Sequence, residues 1–396
     1  MSQSPFDHSP DLARLSAEGY EVEILAAHLL VHSVPYVTPE RIIKRGILVM
    51  PLTLAGDIAA PPSDHQAMFA GGAPCNQDGS EIAQIRLGAQ RTEIVPGFWV
   101  DRQFSAKAID LPGQAYPDFY AKVVRYVSIL GAPAAGLDST VTAKTFSALA
   151  VSDDTSVFHY LDTASARAGL GVASSRLVSH RLAIVGSGGT GSYVLDFVAK
   201  TPASEIHLYD ADVMLSHNAF RSPGAMSIEA LRTRPTKVTH FAAAYSVLRR
   251  GIIPHAYAVT AANVHELYEM SFVFLCLDDG AAKRVIVDAL ITAMIPFIDV
   301  GMGLYQHAAA VGGTLATTTV LPGATELVAA RISFAGAEPG DEYDQNAQIV
   351  ELNAMNAALA VIKWKKICGF YGDLGQERYS AYTIETNTMV NDEFAS

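Results

Sequence analysis

The segment at residues 186–192, GSGGTGS, has residue types that can hold a phosphate group. Its glycines follow G-x-G-x-x-G spacing with one more glycine inside the motif: Gly186, Gly188, Gly189 and Gly191. Glycines allow a tight turn and let the backbone approach a phosphate closely. A helix that starts at such a loop offers free N–H groups and the positive end of its dipole. The segment therefore predicts a phosphate-binding loop.

The neighbouring residues supply the elements that such a loop needs. A short apolar run, 182–185, precedes the glycines, and a segment with helical spacing, 192–200, follows them. A second apolar run, 206–209, ends on Asp210, whose carboxylate can accept hydrogen bonds from ribose hydroxyls. This order of strand, loop, helix, strand and acid predicts a mononucleotide-binding unit, and it is more specific than the glycines alone.

The residues after Asp210 indicate a ligand more anionic than a dinucleotide. Arg221 offers a planar fork for phosphate oxygens, and Lys237, at the start of an apolar helical segment, could reach a triphosphate as a point charge. Asp212 and Asn218 lie in the same stretch. The alternative for Arg221 and Lys237 is that each is a solvated surface charge.

A third strand is predicted over residues 270–277, followed by Asp278 and Asp279. Its nearly continuous apolar character favours a parallel strand covered on both faces. A carboxylate at its end, close to a polyphosphate, would be a natural Mg²⁺ ligand. The alternative for Asp278 is that it caps the helix that starts near Ala281, and the two acids could share these roles.

Together these motifs resemble the ThiF/MoeB/ubiquitin-activating-enzyme superfamily, over about residues 165 to 370. The resemblance is carried in order by GSGGTGS at 186–192, YDAD at 209–212, N-x-x-R at 218–221, Lys237 and the acid of LDD. It implies a Rossmann-like domain that binds Mg-ATP and adenylates the C-terminal glycine carboxylate of a ubiquitin-like or sulfur-carrier protein, releasing pyrophosphate.

The resemblance also implies a role for each matched residue. The glycine loop would cradle phosphate, Asp210 would hold the ribose, and Asp278 would bind Mg²⁺. Three residues would contact the triphosphate: Asn218, Arg221 and Lys237. The family often adds an arginine from the partner subunit of a dimer, for which Arg167 is the candidate; the alternative is a plain surface arginine. A homodimer is therefore expected.

The chain departs from the family pattern in its cysteines. It has no C-x-x-C pair, so no zinc is expected. No cysteine lies between Asp278 and Cys368, where ubiquitin-activating enzymes carry their thioester acceptor. Either the adenylate passes to a downstream conjugating enzyme or sulfur acceptor, or the acceptor thiol lies elsewhere. The sequence ends without a Gly-Gly tail, so we expect that the protein is not itself the carrier.

Cys75 is the remaining internal candidate for a thioester. It lies in a glycine-rich turn after His65, which could activate the thiol. The alternative is a hairpin turn with a buried, unreactive thiol, the commoner fate of a lone cysteine.

Length and composition indicate the number of domains, the location of the protein and the partners that are excluded. The chain has 396 residues, half of them hydrophobic, and a formal net charge of −12. Two domains are expected: a small α+β domain over 1–160, in which helices are predicted over 11–34 and 116–131, and an α/β domain with a mostly parallel sheet over 161–396. Without a basic block, an apolar run of membrane-spanning length or a signal peptide, we expect a cytoplasmic protein that binds neither nucleic acid nor membrane.

Two other functions compete with adenylation. An NAD-dependent oxidoreductase would share the glycine loop and Asp210, but would not require Asn218, Arg221 and Lys237 in that order. A non-catalytic partner subunit of a heterodimeric activating enzyme could lose ATP-site residues freely, so the presence of these residues together with Asp278 argues against it.

Overall fold

A computed structural model describes residues 5–56, 58–148, 156–160, 162, 164–165, 168, 170–307, 310–323, 326–334 and 348–392. The chain forms two compact units, each with its own core. The first comprises Met1–Thr155 and Tyr160–Val172, and the second comprises Ser156–His159 and Ala173–Ser396. The chain crosses between these units three times, at 155/156, 159/160 and 172/173, and the single boundary expected at 160/161 stays a prediction.

The first unit is built on an antiparallel sheet. Its helices are α1 (Pro5–His8), α2 (Pro10–Ala17) and α3 (Phe119–Leu137). Its strands are β1 (Val22–Leu25), β2 (His28–Val37), β3 (Ile43–Pro51), β4 (Leu54–Ala55), β5 (Ile58–Ala59), β6 (Gln66–Ala70), β7 (Arg86–Gly88), β8 (Thr92–Val95), β9 (Phe98–Val100) and β10 (Arg102–Ser105). Six strands form the main sheet, in the order β1-β2-β3-β6-β10-β7.

Helix α3 covers this sheet with an apolar stripe. Phe119, Val123, Tyr126 and Leu130 recur at helical spacing and are fully buried in the core with residues of β2 and β3. Asp118 caps the helix by accepting a hydrogen bond from the backbone N–H of Ala121. The helix predicted over 116–131 is therefore confirmed.

The helix predicted over 11–34 is wrong beyond its first two turns. Helix α2 ends at Ala17, and Gly19 follows in the left-handed region at φ +94°. The apolar residues after it belong to β1 and β2, which pair through a tight turn in the register Val22↔Val31. Cross-strand pairing thus overrides the local helical spacing.

The second unit has the predicted α/β architecture. Its strands are β11 (Arg181–Val185), β12 (Glu205–Tyr209), β13 (Ile252–His255), β14 (Phe272–Leu275), β15 (Phe297–His307), β16 (Ala310–Val320), β17 (Tyr379–Thr383) and β18 (Thr388–Asp392). Its helices are α5 (Gly189–Val198), α6 (Ser216–Ala219), α7 (Ile228–Arg232), α8 (Lys237–Ser246), α9 (Gly280–Thr292), α10 (Glu326–Arg331) and α11 (Val350–Ile367), while α4 (Gly171–Ser175) lies at the passage between the units.

The eight strands form one sheet in the order β13-β12-β11-β14-β15-β16-β17-β18. The five strands from β13 to β15 are parallel, and the last three pairings are antiparallel. One face packs against α5, α8 and α11, and the other packs against α9 and α10. Because β12, β11 and β14 are parallel neighbours, the residues after them meet at one edge of the sheet.

The two longest helices are α3, with 19 residues, and α11, with 18. Helix α11 carries charged residues in its first and last turns. No helix in the described ranges is both long and apolar enough to cross a bilayer.

Candidate nucleotide site

The glycine loop follows the end of β11, between the ends of the neighbouring strands β12 and β14. The last residue of β11, Val185, lies opposite Tyr209 of β12 and Leu275 of β14. The backbone N–H of Gly186 donates to the carbonyl of Tyr209 over 2.8 Å. Consequently the loop, Asp210 and the start of the LDD segment begin side by side, as the sequence predicts.

Two positions in the loop require glycine for different reasons. Gly186 has φ +91°, and a β-carbon there would lie 2.6 Å from the carbonyl oxygen of Cys276. A β-carbon at Gly191 would lie 1.9 Å from the carbonyl oxygen of Gly186. These glycines let the loop turn back tightly over β11 and β14.

Gly188 differs because no atom lies within 4 Å of the position of its absent β-carbon. The residue precedes the first turn of α5, a ten-residue helix whose N-terminal N–H groups start here. The open side of the loop is therefore at Gly188, where a phosphate could approach the backbone.

Asp210 holds the loop and a cation together. Its carboxylate accepts hydrogen bonds from the backbone N–H groups of Ser187, over 2.7 Å, and Asp212, over 2.8 Å. It also lies 3.6 Å from the Lys237 ammonium. In this structure the acid predicted to bind ribose thus orders the glycine loop.

Lys237 is buried and does not behave as a solvated surface charge. Its ammonium donates to Asp212 over 2.6 Å, and its backbone N–H donates to the carbonyl of the same residue. Helix α8 starts at Lys237 because Thr236 caps it by accepting from the N–H of Thr239. The first residue of α8 therefore places its ammonium group beside Asp210, which bonds the glycine loop.

Asn218 is buried, and its side-chain oxygen accepts from the backbone N–H of Leu215 over 3.0 Å. This bond fixes the short helix α6, and Arg221 follows with its N–H bonded to the carbonyl of Asn218. Asn218 thus orders the segment that carries Arg221. Burial lowers the pKa of the Arg221 guanidinium, and the negative charge of nearby Asp278 opposes this shift.

Two buried polar atoms around the loop have no hydrogen-bond partner among the described residues. They are the hydroxyl oxygen of Ser187 and Nε of Arg221. A buried polar atom without a partner costs about 1–3 kcal/mol. Both are therefore suited to a polar or anionic ligand.

The structure separates the roles of the two acids after β14. Asp279 caps α9, accepting from the N–H groups of Ala281 and Ala282 at 3.0 and 3.1 Å. Asp278 is exposed, and its charge acts on Arg221. Of the two, Asp278 is the carboxylate suited to a cation near the loop.

No group of three His, Cys, Asp or Glu side chains that could hold a metal occurs in the described ranges. One exposed carboxylate suits Mg²⁺, which in nucleotide sites is held by one or two carboxylates together with phosphates and waters.

Sequence reasoning missed the contribution of α11. Asn353 is fully buried; its amide nitrogen donates to the carbonyl of Arg221, and its oxygen accepts from the Thr190 hydroxyl. Gln348, just before the helix, accepts from the N–H of Gly189 over 3.3 Å. A β-carbon at Gly189 would lie 2.1 Å from the Asn353 amide. The contacts span more than 130 residues, so no local spacing could reveal them.

A buried ion pair beside the site was also missed. The Lys283 ammonium on α9 lies 2.8 Å from the Asp299 carboxylate on β15, and both side chains are buried. Burial raises the pKa of Asp299, and Lys283 opposes that shift. Because Asp299 lies opposite Leu275 in the sheet, the pair ties α9 to the strands that carry the site.

The three cysteine thiols add little to the geometry of the nucleotide site. Cys75, in the first unit, is 1% exposed, and burial raises the pKa of its thiol. These observations favour the unreactive thiol over the thioester. Cys276 and Cys368 also have raised thiol pKa values because of burial, to about 12 for Cys368. Arg167 lies outside the described residues.

Comparison with protein families gives two matches that divide the chain. The ThiF family matches residues 165–392, more than half of the chain. A domain of unknown function, DUF6791, matches residues 10–163. A comparison with curated proteins gives no match.

Several solved structures are similar at low identity. Escherichia coli MccB with MccA-N7isoASN is 15% identical, with 56% of this chain and 66% of that chain covered and a TM-score of 0.43. The microcin C7 biosynthetic enzyme MccB with N-formylated MccA is 15% identical, with 58% and 70% covered and a TM-score of 0.47. PaaA is 16% identical, with 56% and 66% covered and a TM-score of 0.45. The chain thus spans about two thirds of the length of these proteins.

Proposed function

The chain belongs to the ThiF family, and from this premise we propose that it is an ATP-dependent adenylyltransferase. Its substrate would be the C-terminal glycine carboxylate of a ubiquitin-like or sulfur-carrier protein, and its second product would be pyrophosphate. Adenylation would prepare the carrier for transfer to a downstream conjugating enzyme or sulfur acceptor.

The observation that carries this proposal is the gathering of cations around the glycine loop. The Lys237 ammonium lies against Asp210, and the backbone carbonyl of Arg221 is tied through Asn353 to Thr190 of the loop. The unpartnered atoms of Ser187 and Arg221 would gain partners from phosphate oxygens. Two cations beside an open phosphate loop suit a triphosphate.

The chemistry needs no protein nucleophile. An oxygen of the carrier carboxylate would attack the α-phosphorus, the bond from that phosphorus to the bridging oxygen would break, and pyrophosphate would leave with the electron pair. The chain would contribute positioning by the loop and stabilisation by Arg221 and Lys237 of charge that grows on the phosphate oxygens.

Asp278 would hold Mg²⁺ together with the phosphate oxygens, and the ion would supply further charge neutralisation. Asp210, at the end of β12, would accept hydrogen bonds from the ribose through the second lone pairs of its oxygens, which already accept from Ser187 and Asp212.

Substitution of the cations tests the proposal. Arg221→Ala and Lys237→Ala should each lower the rate of carrier-dependent ATP–pyrophosphate exchange by about 10²–10³-fold, because each removes a charge that stabilises the transition state. Lys200→Ala controls for the loss of a lysine charge elsewhere, since this lysine is exposed and pairs with Asp196 one turn earlier. Exchange at the wild-type rate in the Arg221 and Lys237 variants would contradict the assignment.

The oxidoreductase alternative makes a different prediction about ligands. We expect titration calorimetry to detect binding of ATP with Mg²⁺ and none of NAD at the same concentration. Preference for NAD would favour the oxidoreductase.

A homodimer in which Arg167 reaches the partner's site remains a proposal from the family resemblance. Sedimentation of the purified protein, with and without ATP, tests it. An Arg167→Ala variant that stays dimeric should lose exchange activity if this arginine acts across the dimer.

A further inference from the structure

We propose that Asn353 is a positioning residue for adenylation, because its amide couples the phosphate-binding loop to the segment that carries Arg221. The inference rests on the proposed function and assigns a role to helix α11, which lies outside the nucleotide motifs in the sequence.

The contacts of Asn353 have only one chemically consistent arrangement. The carbonyl oxygen of Arg221 can only accept, so the Asn353 group 3.4 Å from it must be the amide nitrogen. The amide oxygen therefore faces Thr190, 3.1 Å away, and the threonine hydroxyl must donate its proton. Both ends of the amide are thus committed, one to each half of the site.

The Asn353 amide cannot exchange its hydrogen-bond partners for water, because the side chain is buried. Asn353 has no exposed surface. A buried amide that loses a partner leaves an unsatisfied group behind, which makes its hydrogen bonds hard to break. Gly189 packs directly against it, so the amide and the loop are in contact along the backbone as well.

The Asn353 amide joins two segments that lie apart in the sequence, one carrying Arg221 and the other Thr190. Arg221 follows α6, and Thr190 lies in the first turn of α5. Loss of the bridge would let the guanidinium and the loop N–H groups move relative to each other, although each segment keeps its own local hydrogen bonds. Because a triphosphate must contact both, such movement weakens binding and transition-state stabilisation.

Asn356 provides a matched control one turn later on the same helix. It is 1% exposed, and its amide donates to the carbonyl of Gly301 over 2.9 Å, away from the loop. Asn353→Ala and Asn356→Ala therefore remove the same atoms from the same helix at the same burial. They differ in which contacts are lost.

The experiment measures binding of α,β-methylene ATP with Mg²⁺ to the full chain by calorimetry, beside thermal melts. Asn353→Ala should raise the Kd by about tenfold, since two hydrogen bonds are lost. Asn356→Ala should leave the Kd within about twofold and lower Tm by less, since it removes one hydrogen bond. Thr190→Val should weaken binding in the same direction, and combining it with Asn353→Ala should add little, because the two share one bond.

Wild-type affinity in Asn353→Ala, or equal losses in both alanine variants, would overturn the positioning role while leaving adenylation standing. If Asn353→Ala fails to fold, wild-type affinity in Thr190→Val would overturn it instead. Failure of the wild-type chain to bind the analogue would overturn the proposed function and this inference with it.

Discussion

Single residues in the glycine loop divide into those that shape it and those that leave room for a ligand. Gly186 and Gly191 are required by the close approach of backbone oxygens, whereas Gly188 faces open space. The G-x-G-x-x-G spacing does not distinguish these roles, since all three positions read alike in the sequence.

This difference gives a paired prediction. Gly186→Ala should lower the free energy of unfolding by about 2 kcal/mol, because alanine is strained at φ +91° and meets the Cys276 carbonyl. Gly188→Ala should leave stability unchanged within about 0.5 kcal/mol but reduce ATP affinity, since its methyl group occupies the open side. Urea unfolding and calorimetry measure the two effects. Equal stability losses would show that Gly188 is structural.

Burial also predicts how the thiols react. The pKa of Cys368 is raised to about 12. At pH 8 about one such thiol in 10⁴ is ionised, against about a quarter for an ordinary cysteine, so alkylation should be about 10³-fold slower. The rate should keep rising with pH beyond 10, where an ordinary thiol is already ionised, because the raised pKa moves thiolate formation upward. Rapid labelling of Cys368 by iodoacetamide at pH 8, followed by mass spectrometry, would contradict this burial.

At the scale of elements, the sequence predicted those whose signals are local. Strand β11, the loop and α5 follow from one continuous pattern, and α3 follows from its apolar stripe. The helix expected over 11–34 failed because Gly19 ends α2 and the following apolar residues pair across strands. Asn353 could not be found because its partners lie more than 130 residues away, and Asp299 could not because Lys283 meets it only when α9 packs on β15.

The ion pair between α9 and β15 yields a prediction at this scale. Asp299→Asn should destabilise the second unit by about 3–5 kcal/mol, because it leaves the Lys283 charge buried without a counter-charge. The double variant Lys283→Met, Asp299→Leu should lose less than Asp299→Asn alone, since no charge then remains buried. Chemical denaturation of all three proteins tests this. If the double variant is no more stable than Asp299→Asn, packing and not the buried charge determines the loss of stability.

At the scale of the whole molecule, the chain joins a β-rich unit to a nucleotide-binding unit. Residues 156–159 belong to the second unit through backbone hydrogen bonds, from His159 to Leu248 and from Arg250 to Val157. We expect a fragment of residues 156–396 to fold alone and bind ATP, with a higher Tm than a fragment of residues 173–396. Equal Tm values would show that this paired segment contributes no stability.

The central claim is that the protein adenylates a carrier's C-terminal carboxylate. The most direct measurement is ATP–pyrophosphate exchange with a ubiquitin-like or sulfur-carrier protein, compared with the same carrier whose C-terminal glycine is amidated. We expect exchange with the free carboxylate and none with the amide, because only the carboxylate can attack the α-phosphorus. Exchange that ignores the carrier's terminus, or no exchange with any free-carboxylate carrier, would contradict the account.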